Sequence, residues 1–165
     1  MERLVVSGVT YNKGEAKIRV VGVKDSPGVA AKLFGPIADA GIVVDMIVQN
    51  ASLDGTTDMT FTVPRDEFTR ARALAERVAP QVGAARVEAD QGIAKVSVVG
   101  LGMRDHAGVA ARMFQVLATE GINIQMIGTS EIKISVVIEE KYTELAVRAL
   151  HAAFVEDGAA VRAEA

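Results

Sequence analysis

Residues 17–50 read KIRVVGVKDSPGVAAKLFGPIADAGIVVDMIVQN, and residues 95–130 read KVSVVGLGMRDHAGVAARMFQVLATEGINIQMIGTS. The two stretches are copies of one pattern. Asp25 pairs with Asp105, Gly28 with Gly108, Phe34 with Phe114, Gly41-Ile42 with Gly121-Ile122 and Met46-Ile47 with Met126-Ile127. The offset of about 80 residues is too long for a solenoid unit and suits two copies of a small domain.

Each copy follows the same grammar. The Val- and Ile-rich runs 17–23 and 95–101 predict buried strands. Val29, Leu33 and Ile37 recur every four residues and predict a helix over 28–40, matched by Val109, Met113 and Leu117. Gly41 and Gly121 stand where a helix ends in a residue of positive φ. Strands are expected over 42–48 and 122–128, then over 58–63 and 132–138, the first pair turning at Asp54-Gly55. Helices over 65–79 and 141–154 and a closing strand around Val87 complete the order βαββαβ. The fold class is therefore α+β, with ferredoxin-like antiparallel sheets and helices on one face. Residues 14–90 form the first domain and 91–165 the second. Residues 3–11 read as a further strand joining the second sheet, because 161–163 offer little strand. Pro36 is expected to kink the first helix.

Composition narrows the function. The 165 residues carry a net charge of −3 and only 4 % aromatics, without a basic, aromatic-interleaved patch for nucleic acid. No apolar run reaches the roughly 18 residues of a membrane span, and the first residues are too polar for a signal peptide. With no cysteine, disulfides and thiolate chemistry are excluded, in keeping with a cytoplasmic protein. No phosphate-binding loop, nucleophile elbow or zinc-binding helix motif is present, so neither catalytic residues, a metal nor a cofactor is expected.

The repeated loop is where a ligand would sit. In Asp25-Ser26-Pro27-Gly28-Val29-Ala30 a strand gives way to a helix, Ser26 suiting an N-cap and Pro27 the first helical position. The N–H groups of Gly28, Val29 and Ala30 and the helix dipole favour a carboxylate, while Asp25 favours an ammonium. A free α-amino acid carries both charges. Simple capping by Asp25 or Ser26 is the alternative that spacing leaves open. Gln49-Asn50 and Thr129-Ser130-Glu131 end strands on the same edge as their loops, and Asn123 and Gln125 interrupt an apolar strand.

These two copies resemble ACT domains, and KDSPGVAAKLF, DMIVQNAS, DGTTDMTFTVPR, KVSVVGLGM and TSEIKISVVI resemble the regulatory half of aspartate kinases. No kinase half accompanies them, so the chain is similar to the β chains of bacterial α2β2 aspartate kinases, made in that family from an internal start, here Met1. The resemblance implies a homodimer through ACT domains, a catalytic α subunit as partner, and feedback by threonine on aspartate-family biosynthesis. Its effector site would use Asp25, Pro27, Gly28, Val29, Ala30 and Gln49, with Asn123 and Ile124 from a second copy. A quasi-equivalent second site would use Met103, His106, Val109, Ala110, Thr129, Ser130 and Glu131. Feedback-resistant changes in the family fall at positions matching Ala30, Ser52, Thr60 and Ser130. Lysine-responsive relatives carry Thr where this chain has Ala110, which favours threonine alone. A free-standing ACT regulator of another amino-acid biosynthetic enzyme, binding a different amino acid, is the alternative. An enzyme using Asp25 or Asp105 as a base lacks a partner catalytic group.

Overall fold

Apolar residues at every second position make Glu15–Lys24 a strand with one buried face, since successive side chains point to opposite sides of a sheet. The computed structural model describes residues 6–51, 53–101, 108–155 and 161–163. In chain order the elements are β1 (Val6–Asn12), β2 (Glu15–Lys24), α1 (Val29–Asp39), β3 (Ile47–Ala51), β4 (Thr56–Pro64), α2 (Phe68–Val78) and β5 (Arg86–Asp90). They continue as β6 (Ile93–Gly100), α3 (Gly108–Thr119), β7 (Met126–Thr129), β8 (Lys133–Glu139), α4 (Thr143–Phe154) and β9 (Val161–Ala163). Gly14–Gln91 forms one compact unit; β1 and the chain from Gly92 onward form another.

The first unit holds an antiparallel sheet in the order β3-β4-β2-β5. Its core gathers Ile18, Val20, Met59 and Phe61 from the strands and Leu33 and Ile37 from α1, all at most 1 % exposed. The Phe34 ring meets Phe61 edge-on, centroids 5.1 Å apart, a preferred aromatic geometry. α1 continues through Pro36. Pro36 forfeits its own donor, but its carbonyl still takes the Ala40 N–H at 3.1 Å. Gly41 and Gly121 adopt φ of 75° and 71° at the helix ends, as their positions predict.

The second unit has a five-stranded sheet, β7-β8-β6-β1-β9. Here the register shows a substitution of parts. Val20 of β2 lies opposite Val87 of β5, and its counterpart Val98 lies opposite Val9 of β1. Thus β1, from the front of the chain, takes the place beside β6 that β5 takes beside β2. Val9 is fully buried in a core with Val98, Met113, Leu117, Val136 and Leu150. Residues 161–163 do form a strand: β9 pairs with β1, and in parallel, so this sheet is not wholly antiparallel. A free edge left by β1 accepts the three-residue strand that sequence preference alone would not predict.

Several boundaries move. The strand expected over 42–48 begins only at Ile47. Ile42 N–H is still engaged with Ile37 O at 3.2 Å, and Met46 N–H goes to the Thr62 hydroxyl at 3.0 Å rather than into a regular ladder. In the second copy the strand begins at Met126. The later helices of both copies open with a 3-10 turn, Arg65–Glu67 and Glu140–Tyr142, before α2 and α4.

Truncating a core residue tests this packing. Phe61→Ala should lose about 3–5 kcal/mol and Leu117→Ala about 2–5 kcal/mol, read as shifted urea midpoints. A loss below about 1 kcal/mol at either position would contradict its central burial.

Candidate functional site

The loop between β2 and α1 is held by three devices. First, β2 carries a register shift between Val20 and Val23, with Gly22 at φ 70°. The Asp58 carboxylate receives the Gly22 N–H at 2.9 Å and the Arg19 guanidinium beside it. These partners, Arg19 first and the Gly22 N–H second, hold the Asp58 carboxyl below its ordinary range. Second, Asp25 N–H donates to Gly55 O at 2.9 Å, tying the loop to the turn between β3 and β4. Asp54 shapes that turn by accepting the Thr56 N–H at 3.0 Å and its hydroxyl at 2.7 Å.

Third, Gly28 itself starts the helix. It is the N-cap, at φ 90° and ψ −4°, and no side chain caps α1. This corrects the expectation that Ser26 caps and Pro27 leads the helix. A Cβ at Gly28 would meet nothing within 4 Å, so the backbone conformation, not space, calls for glycine there. The Val29 N–H, expected to be free, donates to Ser26 O at 3.2 Å, and the Lys32 N–H reaches Gly28 O at 3.1 Å. The first-turn donors without an intrahelical acceptor are then those of Gly28, Ala30 and Ala31.

Asp25, Pro27, Gly28 and Ala30 are exposed, as is Gln49 on β3. They share one end of the first sheet, because Lys24 lies opposite Thr56 and Ala51 opposite Thr57. Val29 differs: it is buried in the core, so only its main chain faces outward. Thr60 is half-buried on β4, opposite Arg19 and Val48. Asn123, exposed, and Ile124, half-buried, lie in the second unit between α3 and β7.

The end of β6 has a related frame. Gly100 N–H donates to Ile132 O at 2.8 Å, tying the end of β6 to the turn between β7 and β8. Ser130 builds that turn: its N–H reaches Lys133 O at 2.8 Å and its hydroxyl accepts the Lys133 N–H at 3.2 Å. Val109 is buried, Ala110 half-buried, and Thr129 and Glu131 exposed. Met103, His106 and Ser52 lie outside the described residues. Sequence reasoning missed the parts played by Asp58 and Gly55. The Asp54-Gly55 pair signalled the turn, but nothing local signals which strand end it ties.

Two α+β units built on one repeated strand–helix pattern define a tandem small-domain architecture, and comparison with known proteins places it in a family. The ACT domain family matches residues 18–77 and 96–154, and the chain belongs to that family. Its tandem pair corresponds to the regulatory, non-catalytic part of aspartate kinases. An aspartate kinase of Pseudomonas fluorescens strain SBW25 is 60 % identical over 164 residues, 99 % of this chain and 40 % of that protein. The chain thus spans about 40 % of the length of the curated relatives it matches first. A crystal structure of aspartokinase alpha and beta subunits is 54 % identical, with a TM-score of 0.86, covering 91 % of this chain and 99 % of that one. The ligand-free regulatory subunit of aspartate kinase from Thermus thermophilus is 43 % identical, with the same TM-score and coverage.

The Asp58 anchor makes a pH prediction. Its carboxyl titrates lower folded than unfolded, so its contribution is present above the unfolded value of about 3.9 and fades as pH falls through the folded value. Asp58→Asn should therefore lose stability near neutrality, and its urea midpoint should fall less than wild type's between about pH 5 and pH 2. Parallel curves for the two proteins would show that the contact contributes nothing.

Proposed function

We propose that this chain is a regulatory subunit of a bacterial aspartate kinase. It binds threonine between the ACT domains of two copies of itself and relays feedback inhibition to a separate catalytic subunit in a cytoplasmic α2β2 assembly. In this reading the effector domains span 14–90 and 91–165, the latter joined by β1; residues 3–5 of the strand expected over 3–11 lie outside the described residues. The observation that carries it is the start of α1: a helix N-terminus with no side-chain cap, made accessible by Gly28 and Ala30, beside Asp25. A carboxylate there meets first-turn N–H groups and the positive end of the helix dipole. Asp25 takes the ammonium, and Gln49 reads the hydroxyl. A site built around a hydroxyl rejects analogues lacking it.

Two further features support pairing between copies. Ile47 and Ile127 occupy matching positions of the repeat, both on edge strands, and are 54 % and 46 % exposed. Apolar side chains along an unpaired strand edge favour association. Asn123 and Ile124 of a second copy would close the threonine site. Met103, His106, Val109, Ala110, Thr129, Ser130 and Glu131 would form its quasi-equivalent. A ligand that bridges two chains stabilises the associated state by mass action, which couples effector concentration to the regulatory dimer.

Isothermal titration of the purified chain with threonine, and separately with lysine, tests the reading. Threonine should bind with heat that Asp25→Ala abolishes, while lysine stays silent. Lysine binding would overturn the threonine-only assignment made from Ala110. Silence toward both, with heat from another amino acid, would favour a regulator of a different biosynthetic enzyme.

A further inference from the structure

The second unit contains a cavity of about 440 Å³ between the end of β1 and the flank of α4. Tyr11 and Lys13 line it from the β1 side, and Glu144, Val147, Arg148 and His151 from the helix. The helix residues recur at intervals of three and four, which places them on one face. None belongs to the candidate amino-acid site. Tyr11 lies opposite Val96 near the start of β6, whereas the second effector loop follows the end of β6.

The internal repeat supplies the comparison. Ala89 of β5 lies opposite Ile18, the counterpart of Val96, so it stands where Tyr11 stands. Counting from the helix starts, Arg72 and Glu76 of α2 match Val147 and His151 of α4. In the first unit those two side chains close on each other as an ion pair at 3.0 Å. In the second, the helix offers a buried valine and an imidazole, and the strand offers an aromatic ring in place of a methyl. The change involves two elements far apart in sequence.

We propose that this cavity binds a small organic anion: an apolar body on Tyr11 and Val147, and a carboxylate or phosphate between Lys13 and Arg148. Charge decides the sign. Among the described residues that line the cavity, Lys13, Arg148 and His151 stand with a single acid, Glu144. Size agrees, since small-molecule sites commonly enclose about 300–1,000 Å³ with apolar walls and a few converging polar groups.

The test uses the full chain and 8-anilinonaphthalene-1-sulfonate, whose rings and sulfonate match the proposed chemistry. Fluorescence should rise to saturation at one equivalent. The double variant Lys13→Ala/Arg148→Ala, both exposed positions, should weaken binding by about tenfold or more. Val147→Arg/His151→Glu, which copies the Arg72–Glu76 pair, should abolish it, with circular dichroism reporting that the variant folds. Asp25→Ala should leave dye binding unchanged, so this test and the threonine titration fail independently. The proposal is overturned by absence of saturable binding, by affinity indifferent to loss of the two cations, or by loss of binding in Asp25→Ala. Should the helix variant not fold, the cation variant alone decides.

Discussion

The pairing of β1 with β6 is the constraint on which the second unit rests. In the first unit the strand beside β2 is supplied by the end of the same copy, β5. In the second copy that place is filled from the front of the chain, with Val9 seated against Val98 at the register where Val87 meets Val20. A fully buried valine contributes about 1.5–3 kcal/mol relative to exposure, and the strand also completes the backbone hydrogen bonds of β6. The substitution has side effects: a parallel β9 accommodated on the outer edge, and Tyr11 set where the first unit has alanine.

A backbone N–H near the end of each central strand is tied to the neighbouring hairpin turn: Asp25, just past β2, to Gly55, and Gly100 of β6 to Ile132. In the first unit the tie makes the position of the helix start depend on the turn, and the turn on Asp54. Substitutions in that turn can therefore shift the start of α1 from a distance. Ser130 shapes the corresponding turn of the second unit with its own hydroxyl.

Much of this was legible in the residues. The repeat, the two core stripes of α1 and α3, and the glycines after them follow from periodicity and backbone sterics, because each is a local pattern. The N-cap was not. Ser-Pro before a helix is a strong local signal, yet the chain starts α1 two residues later, on a left-handed Gly28, because Val29 N–H turns back to Ser26 O. The late start of β3 was hidden for a similar reason. Thr62, distant in sequence, takes the Met46 N–H with its hydroxyl. β9 was invisible because its partner is not a neighbour in sequence, and three residues of strand have little preference of their own. Local grammar set the elements; pairing across the chain set their limits.

The route of the chain also bears on how the molecule comes to exist. Asn12 and Lys95 face each other in the ladder although about 80 residues separate them, and everything between is the first unit. That unit begins and ends side by side, for Lys17 lies opposite Asp90. Once folded, it acts as the bend of a very large hairpin, delivering β1 and β6 to each other with most of the chain-closure entropy already spent. Formation of the first unit thereby lowers the closure cost of the long-range strand pair in the second. A defect in the first core would appear as slow maturation of the second.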